Sequence, residues 1–278
     1  LKCLHRRTGL TKLAVSGGCF MNSVFNGKIT SVSPFEECFI SSCPDDSGTS
    51  VGAALYLHAQ RTGERPKSNS SHNYWGLGFS DEDCLQAVTR YQLPNARVVS
   101  SPSTEAAADL VAGRLVGWFQ DRAEFGQRAL GNRSILADPR SPDARDKINA
   151  AVKYREAYRP FAPAILAERV DEYFECAAGT RVPFMEKVLP FREAKRSRVP
   201  AVVHEDGTGR LQTVDQDSTR RFRELIQEFD RITGIPLVLN TSFNVNGEPI
   251  VNSPEDAIRT FYSCGLNVLY LGNVRIAK

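Results

Sequence analysis

The stretch TEAAADLVAGRLVGWF, residues 104–119, contains the pattern that decides the fold class. Its alanine-rich first part predicts a helix over 104–114, and the apolar run that follows predicts a buried strand over 115–119. Mixed strands and helices continue at this density, which indicates an α/β (α+β) fold. The other predicted strands and helices, in chain order, are 13–15, 37–40, 49–60, 81–91, 142–153, 161–166, 200–204, 211–214, 218–233, 237–239, 254–262 and 268–271.

The chain divides into two parts of unequal size. Residues 1–62 form a first piece that is too small to bury a convincing core alone, since domains of about 60 residues are marginal. Residues 63–72 are polar and contain glycine, proline and several serines, which predicts a linker. Residues 73–278 are long enough for a complete second domain.

Composition excludes several classes of protein. The 278 residues are 41% hydrophobic and 24% charged, and the formal net charge is +3. These values exclude a disordered acidic tail and make nucleic acid an unexpected partner. No apolar run reaches the roughly 18 residues of a membrane span, so no membrane partner is expected. The chain begins at Leu1 without a leader, which predicts a piece of a longer protein.

The spacing of cysteines and histidines indicates the cellular compartment of the protein and whether it can bind a metal. The seven cysteines show no CxxC spacing, which predicts free, buried thiols in a cytoplasmic protein. The four histidines form neither an HxxxH nor an HExxH pair. The sequence therefore contains no complete histidine metal site.

The segment 121–159 is the first candidate for the chemistry. Arginine forks match phosphate oxygens, and glycines let the backbone approach a ligand. The alternative is a solvated face neutralised by acidic residues of the same segment. Apolar and turn-forming neighbours instead favour partly buried cations, which require an anion. The cations are Arg122, Arg128, Arg133, Arg140, Lys153, Arg155 and Arg159.

Two further polar clusters follow predicted strands. The strand 237–239 runs into Asn240, Ser242 and Asn244, whose amides and hydroxyl lie where α/β sheets commonly bind ligands. An Asx/Ser turn is the alternative for this cluster. The turns at 16–18 and 46–48 contain glycines whose N–H groups suit a phosphate.

Taken together, these segments resemble the NodU/CmcH O-carbamoyltransferases across nearly the whole chain. The resemblance rests on long motifs: GGCFMN at 17–22, DSGTSVGAAL at 46–55, EFGQRALGNRSIL at 124–136, YRPFAP at 158–163, NTSFN at 240–244 and GEPIV at 247–251. Gln127 stands where the family usually has proline, which predicts a looser turn before Arg128. Ser50 replaces a more usual alanine.

The resemblance implies two catalytic centres. Residues 1–62 would be the remnant of an actin-like ATPase-type carbamoyl-transfer domain, and residues 73–278 a YrdC-like domain with a twisted mixed sheet. The YrdC-like domain would form carbamoyladenylate from carbamoyl phosphate and ATP/Mg²⁺, releasing pyrophosphate and phosphate. The first domain would move the carbamoyl group to a hydroxyl of an antibiotic, sugar or oligosaccharide. It would use a divalent metal, expected to be iron, whose HxxxH ligands belong to a missing N-terminal half.

The resemblance also assigns roles to residues of this sequence. Fixed cations would neutralise the charge that develops on phosphoryl oxygens. The expected catalytic cations are Arg128, Lys153, Arg159 and Arg210. The expected substrate-binding residues are Arg133, Asn240, Ser242 and Asn244. The nucleotide would contact Gly17, Gly18, Asn22 and Gly48, and the metal would bind Asp46.

Two other functions fit the same residues. A YrdC-like threonylcarbamoyladenylate synthase in RNA modification would consume bicarbonate and threonine and show salt-sensitive RNA affinity. A non-catalytic nucleotide-binding module would bind ATP without producing pyrophosphate. The net charge of +3 disfavours the RNA-linked enzyme.

Overall fold

The computed structural model describes residues 1–64, 72–154 and 159–278, and most of its strands belong to one mixed sheet. The helices are α1 Lys2–Thr8, α2 Ser23–Val32, α3 Gly48–Thr62, α4 Asp81–Arg90, α5 Pro102–Val111, α6 Ala144–Ile148, α7 Val170–Tyr173, α8 Glu193–Arg196, α9 Arg220–Thr233 and α10 Pro254–Ser263. The strands are β1 Lys12–Val15, β2 Glu37–Ile40, β3 Ala96–Val98, β4 Val116–Phe119, β5 Arg133–Ala137, β6 Ala162–Leu166, β7 Val188–Pro190, β8 Thr208–Arg210, β9 Gln212–Val214, β10 Leu237–Ser242, β11 Val268–Leu271 and β12 Val274–Ala277. Most of the predicted linker, together with Arg155 and Tyr158, lies outside the described residues.

The large sheet has eight strands in the order β3-β12-β11-β4-β5-β10-β6-β9. β11 runs parallel to β4 and β6 runs parallel to β9. The remaining neighbours are antiparallel. The predicted α/β fold with a mixed sheet is therefore confirmed. Because β10 lies between β5 and β6, three strands that carry or adjoin predicted site residues are direct neighbours.

We refer to residues 73–278, which contain the large sheet, as the sheet domain. Its hydrophobic core is continuous from α4 to β12. The amphipathic helix α9 buries Phe222, Leu225, Ile226 and Phe229, as its apolar period predicts, and packs against α5. Ile232 belongs to the same apolar face of the sequence pattern, yet its side chain is exposed, because it lies in the last turn before the left-handed Gly234.

The N-terminal segment, residues 1–62, contains a separate and much smaller structure. Strands β1 and β2 form a two-stranded parallel sheet. A small core accompanies them, formed by Leu13, Val15, Ile29, Phe35 and Ile40. The apolar helix α3 has no buried residue. The segment therefore buries little of its own apolar surface.

Several predicted elements are corrected by the structure. Residues 200–204 are not a strand, because Pro200 lacks an N–H for a ladder and Pro200–Val202 forms a 3₁₀ turn instead. The helix expected over 142–153 begins only at Ala144 and changes to a π-helix over Asn149–Lys153. Helix α5 starts at Pro102, two residues before its prediction, because Ser101 caps it.

The sequence patterns missed five strands, because each is a run of only three to five residues: β3, β5, β7, β8 and β12. Strand β10 also extends three residues beyond its prediction. All seven cysteines are free thiols, as predicted, but only Cys43, Cys84 and Cys264 are buried. Cys38 and Cys176 are half-buried, and Cys3 and Cys19 are exposed. Among the described helices, none has the length and apolarity that a membrane crossing requires.

Candidate active site

The loop between β4 and β5 is held closed by the carboxylate of Glu124. Its Oε1 atom accepts hydrogen bonds from the backbone N–H groups of Leu130 at 2.6 Å and Asn132 at 2.8 Å. Hydrogen bonds to an ionised acceptor are the strong ones in proteins. Gly131 has a φ of +110°, and a Cβ there would lie 2.1 Å from the ring of Phe222. The loop that carries Arg128 therefore has a defined shape.

Arg128 is a half-buried cation. Across residues 1–64, 72–154 and 159–278, no side chain or carbonyl bonds its guanidinium, and burial lowers its pKa. It borders an open cleft of about 200 Å³ that is also lined by Glu124, Arg133 and residues 250–252. A buried cation without a counter-charge is costly, and a phosphate in this cleft would supply one.

Arg133 lies deeper, at the start of β5, and is nearly fully buried. Its guanidinium donates to the carbonyls of Gln120 at 2.5 Å, Asp121 at 3.2 Å and Leu77 at 3.3 Å. The same group stacks 3.6 Å from the ring centroid of Phe119. Burial lowers its pKa to about 10. Most of its donors therefore hold the protein chain, and substrate binding by Arg133 stays a prediction.

Lys153 brings together residues that are far apart in the sequence. Its Nζ atom, at the end of the π-helix, donates to Ser242 Oγ at 3.1 Å and to Asn244 Oδ1 at 2.6 Å. It also donates to the carbonyls of both residues, at 2.7 and 3.0 Å. The lysine is buried. Three of the predicted site residues thus form one bonded cluster at the end of β10.

Backbone bonds connect this cluster to the Arg128 cleft. Phe243 lies between Ser242 and Asn244, and its N–H donates to the carbonyl of Arg133 at 2.9 Å. The N–H of Val251, which lines the cleft, donates to the carbonyl of Phe243 at 3.0 Å. The Lys153 cluster and the Arg128 cleft are therefore adjacent and joined by backbone hydrogen bonds through Phe243.

Asn240 of β10 holds the loop that carries Arg128 through hydrogen bonds. Its Nδ2 donates to the carbonyl of Ala129 at 3.2 Å and to Gln212 Oε1 at 2.9 Å. The amide of Gln212 in turn donates to the carbonyl of Leu130 at 2.8 Å. The Oδ1 atom of Asn240 is buried without a hydrogen-bond partner among the described residues. Asn240 thus holds the loop and keeps one acceptor for a further donor.

The other two predicted cations lie at the edges of this region. Arg159 is exposed and precedes β6, which pairs with β10. Arg210 ends β8, opposite Val188 of β7. Burial lowers the pKa of His204, the charge of Asp206 opposes this, and the charges of Arg210 and Arg145 lower it further. Arg210 therefore lies in a mixed-charge group with Arg145, His204 and Asp206 that the sequence patterns did not single out.

The glycine turns of the N-terminal segment also lie together. The N–H of Gly17 donates to the carbonyl of Pro44 at 2.5 Å, because β1 and β2 are parallel and end at the same edge. A Cβ on Gly48 would lie 2.1 Å from the carbonyl of Cys43, whereas Gly18 faces open space. Asn22 caps α2 by accepting from the N–H of Phe25 at 3.1 Å.

The described residues do not by themselves form the metal site that the resemblance implies. Asp46 is exposed. Residues 1–64, 72–154 and 159–278 contain no group of three histidine, cysteine or acidic side chains placed to bind an ion. Catalytic metal sites normally use about three protein ligands. Asp46 alone is therefore insufficient to hold an ion.

Comparison with known families adds a decisive observation. Residues 107–278 match the family described as carbamoyltransferase C-terminus, and residues 1–55 match the one described as carbamoyltransferase N-terminus. The chain belongs to the carbamoyltransferase family. The C-terminal match contains every predicted cation, and the N-terminal match contains both glycine turns and Asp46.

The curated relatives of this chain are longer than the chain itself. Nodulation protein NolO of Bradyrhizobium diazoefficiens is 42% identical over 278 residues, which are 99% of this chain and 51% of that protein. Nodulation protein U of Rhizobium fredii is 35% identical, over 87% of this chain and 40% of its own length. The chain thus spans about half or less of these relatives.

Solved structures show weaker likeness. Full-length HypF in its phosphate- and nucleotide-bound form covers 65% of this chain and 22% of its own, with 16% identity and a TM-score of 0.38. Sua5 of P. abyssi complexed with L-threonine covers 62% of this chain and 46% of its own, with 17% identity and a TM-score of 0.43.

Two residues of the candidate site were not identified as site residues from the sequence. Glu124 lies inside a quoted motif, yet only the folded loop shows that its carboxylate binds backbone N–H groups. Gln212 lies in β9 and reaches both Asn240 and the loop. A polar side chain within an otherwise apolar predicted strand is the signal that would have identified Gln212.

Proposed function

We propose that the domain of residues 73–278 forms carbamoyladenylate from carbamoyl phosphate and ATP. Water cleaves the carbamoyl–phosphate bond to give carbamate and phosphate. A carbamate oxygen then attacks the α-phosphorus of ATP, which forms the new oxygen–phosphorus bond and expels pyrophosphate. The sum is one carbamoyladenylate, one phosphate and one pyrophosphate from the two substrates and one water.

The partnerless, half-buried Arg128 carries this proposal. Its guanidinium needs an anion, and both substrates are rich in phosphoryl oxygens. The cleft beside it has room for a phosphoryl group, at about 200 Å³. Charge that develops on phosphoryl oxygens in the reaction is stabilised best by cations that are fixed in advance.

The cluster around Lys153 would supply the second half of the anion site. Its ammonium fixes the Ser242 hydroxyl and the Asn244 amide, so the three groups are already ordered before a substrate arrives. Preorganised groups lower the entropy cost of aligning two substrates. Arg159 and Arg210 would complete the charge around the bound phosphates, with Mg²⁺ accompanying ATP.

Transfer of the carbamoyl group to a small-molecule hydroxyl would require the N-terminal half of the relatives. Support comes from the N-terminal family match, which covers only residues 1–55, and from the exposed apolar helix α3 that such a half would cover. The glycine turns with Gly17, Gly18 and Gly48 would bind the adenylate's nucleotide there, and Asp46 would join metal ligands from that half.

The test is pyrophosphate release from ATP in the presence and absence of carbamoyl phosphate. We expect release that depends on carbamoyl phosphate, and losses of at least about tenfold in kcat/KM for Arg128→Ala and Lys153→Ala. Lys12→Ala, which removes an exposed ion pair with Glu37, is the matched control. Equal release by the wild type and all three variants would show that the assigned site is wrong.

A further inference from the structure

The three residues immediately before Arg128 all contact one turn of the N-terminal segment, residues 42–45. The thiol of Cys43 donates to the carbonyl of Phe125 at 2.8 Å. At Gly126 a Cβ would lie 2.9 Å from the Cys43 sulfur, so the glycine allows this close approach. The side-chain amide of Gln127 donates to the carboxylate of Asp45. The contacts therefore run from residue 125 to 127 without a gap.

Arg128 itself borders two cavities. One is the cleft in the sheet domain that is lined by Glu124, Arg133 and residues 250–252. The other is small, at about 20 Å³; it lies between the two parts of the chain and includes Ser42 and Pro44 of the turn. The position of its guanidinium therefore depends on a loop that the N-terminal segment touches on one side and Glu124 holds on the other.

The side chain of Gln127 links the turn before Arg128 to the N-terminal segment. Its amide donates to the carboxylate of Asp45, across the boundary between the two parts. The turn before Arg128 is thus anchored by the neighbouring segment and not only by its own loop.

We propose that the turn 42–45 positions Arg128 for carbamoyl phosphate, with Asp45 and Gln127 as the positioning residues. This inference rests on the function proposed above. Because a half-buried guanidinium gains its binding energy only in the right place, a loop freed from Asp45 would present it in several orientations. The N-terminal segment would then control donor binding in the sheet domain without contacting the donor.

The experiment is a double-mutant cycle on the full chain with calorimetric titration of carbamoyl phosphate. We expect Asp45→Ala and Gln127→Ala each to weaken binding about twofold to tenfold, the range of one hydrogen bond. Asp45→Asn keeps an oxygen acceptor for Gln127 and is expected to restore most of the affinity. In pyrophosphate release, the KM for carbamoyl phosphate should rise while the KM for ATP stays unchanged.

The decisive arm repeats Asp45→Ala in the Arg128→Ala background. If Asp45 acts through Arg128, the second substitution weakens binding no further. Additive losses, or wild-type affinity in both single variants, would overturn the inference while leaving the Arg128 effect intact. If Arg128→Ala itself binds normally, the proposed site is wrong and the inference falls with it. Thermal unfolding of each variant, with Lys12→Ala as control, shows that a loss of affinity is not a loss of folding.

Discussion

The sheet domain and the N-terminal segment differ in how much apolar surface they bury. Large side chains such as Trp118 and Phe261 are fully buried in the sheet domain. In helix α3 of the N-terminal segment, by contrast, Tyr56 is 66% exposed and Leu57 is 47% exposed. Stability is therefore concentrated in the sheet domain. The N-terminal segment acts on the candidate site through the few residues that touch the Arg128 loop.

The largest expected effect compares one apolar residue from each part. Phe261→Ala removes a fully buried ring from the sheet domain and is expected to cost about 3–5 kcal/mol of unfolding free energy. Leu57→Ala changes an exposed side chain and is expected to cost less than about 0.5 kcal/mol. Urea unfolding measures both. Comparable losses would show that α3 is covered in solution.

A glycine at the boundary tests how closely the two parts approach. Gly126 has a φ of +129° and faces the sulfur of Cys43, whereas Gly179 has a φ of +75° and open space around it. Gly126→Ala is expected to lose about 2–3 kcal/mol through strain and the clash, and Gly179→Ala only about 1 kcal/mol. Adding Cys43→Ala should recover only the part due to the clash, because the strain of the φ angle remains. Equal losses in thermal unfolding would argue against the close approach.

The pH dependence of stability tests a carboxyl group at the same boundary. Burial raises the pKa of Glu186 from 4.5 to about 7, and its Oε2 accepts from the N–H of Phe184 at 2.8 Å. Because the folded protein disfavours the carboxylate, this group's contribution is complete below pH 4.5 and is lost as the pH rises through 7.

Glu186→Gln keeps the acceptor and abolishes the titration. We expect the variant to match the wild type at pH 4.5 and to exceed it by about 2 kcal/mol at pH 8. Urea unfolding at the two pH values decides the matter. A constant difference between the proteins at both pH values would contradict the raised pKa.

The smallest expected effect concerns two helix caps. Ser253 caps α10 of the sheet domain in a reciprocal capping box with Asp256, and Asn22 caps α2 of the N-terminal segment. Ser253→Ala is expected to cost about 1 kcal/mol in global unfolding. Asn22→Ala should cost less there, since α2 belongs to the part that buries little. The reverse order in thermal unfolding would contradict the comparison.

Local sequence signals predicted local structure well. The helices over 81–91 and 254–262 and the buried strand over 115–119 follow from neighbouring residues alone, and the structure has all three. The strand over 200–204 was wrong because proline outweighed the apolar residues around it. The sequence predicted a candidate ligand site at the polar end of β10, because amides and a hydroxyl follow an apolar run there.

Long-range partners were beyond the reach of the sequence. Arg133 has the sequence context of a phosphate ligand, yet its guanidinium bonds the carbonyls of Leu77, Gln120 and Asp121. The burial of Lys153 against Ser242 and Asn244 likewise depends on contacts between distant residues, at separations of 89 and 91. Charge and spacing identify a candidate cation, but only the fold shows which cations lack a protein partner.

The central claim is that Arg128 and the Lys153 cluster form one site for phosphoryl groups. A crystal structure of the full chain with ATP and carbamoyl phosphate tests it most directly. The account predicts a phosphoryl group within hydrogen-bonding distance of the Arg128 guanidinium, with Lys153 and Ser242 beside the same ligand. Ligand density elsewhere, with Arg128 turned to solvent and the cleft empty, would contradict the account.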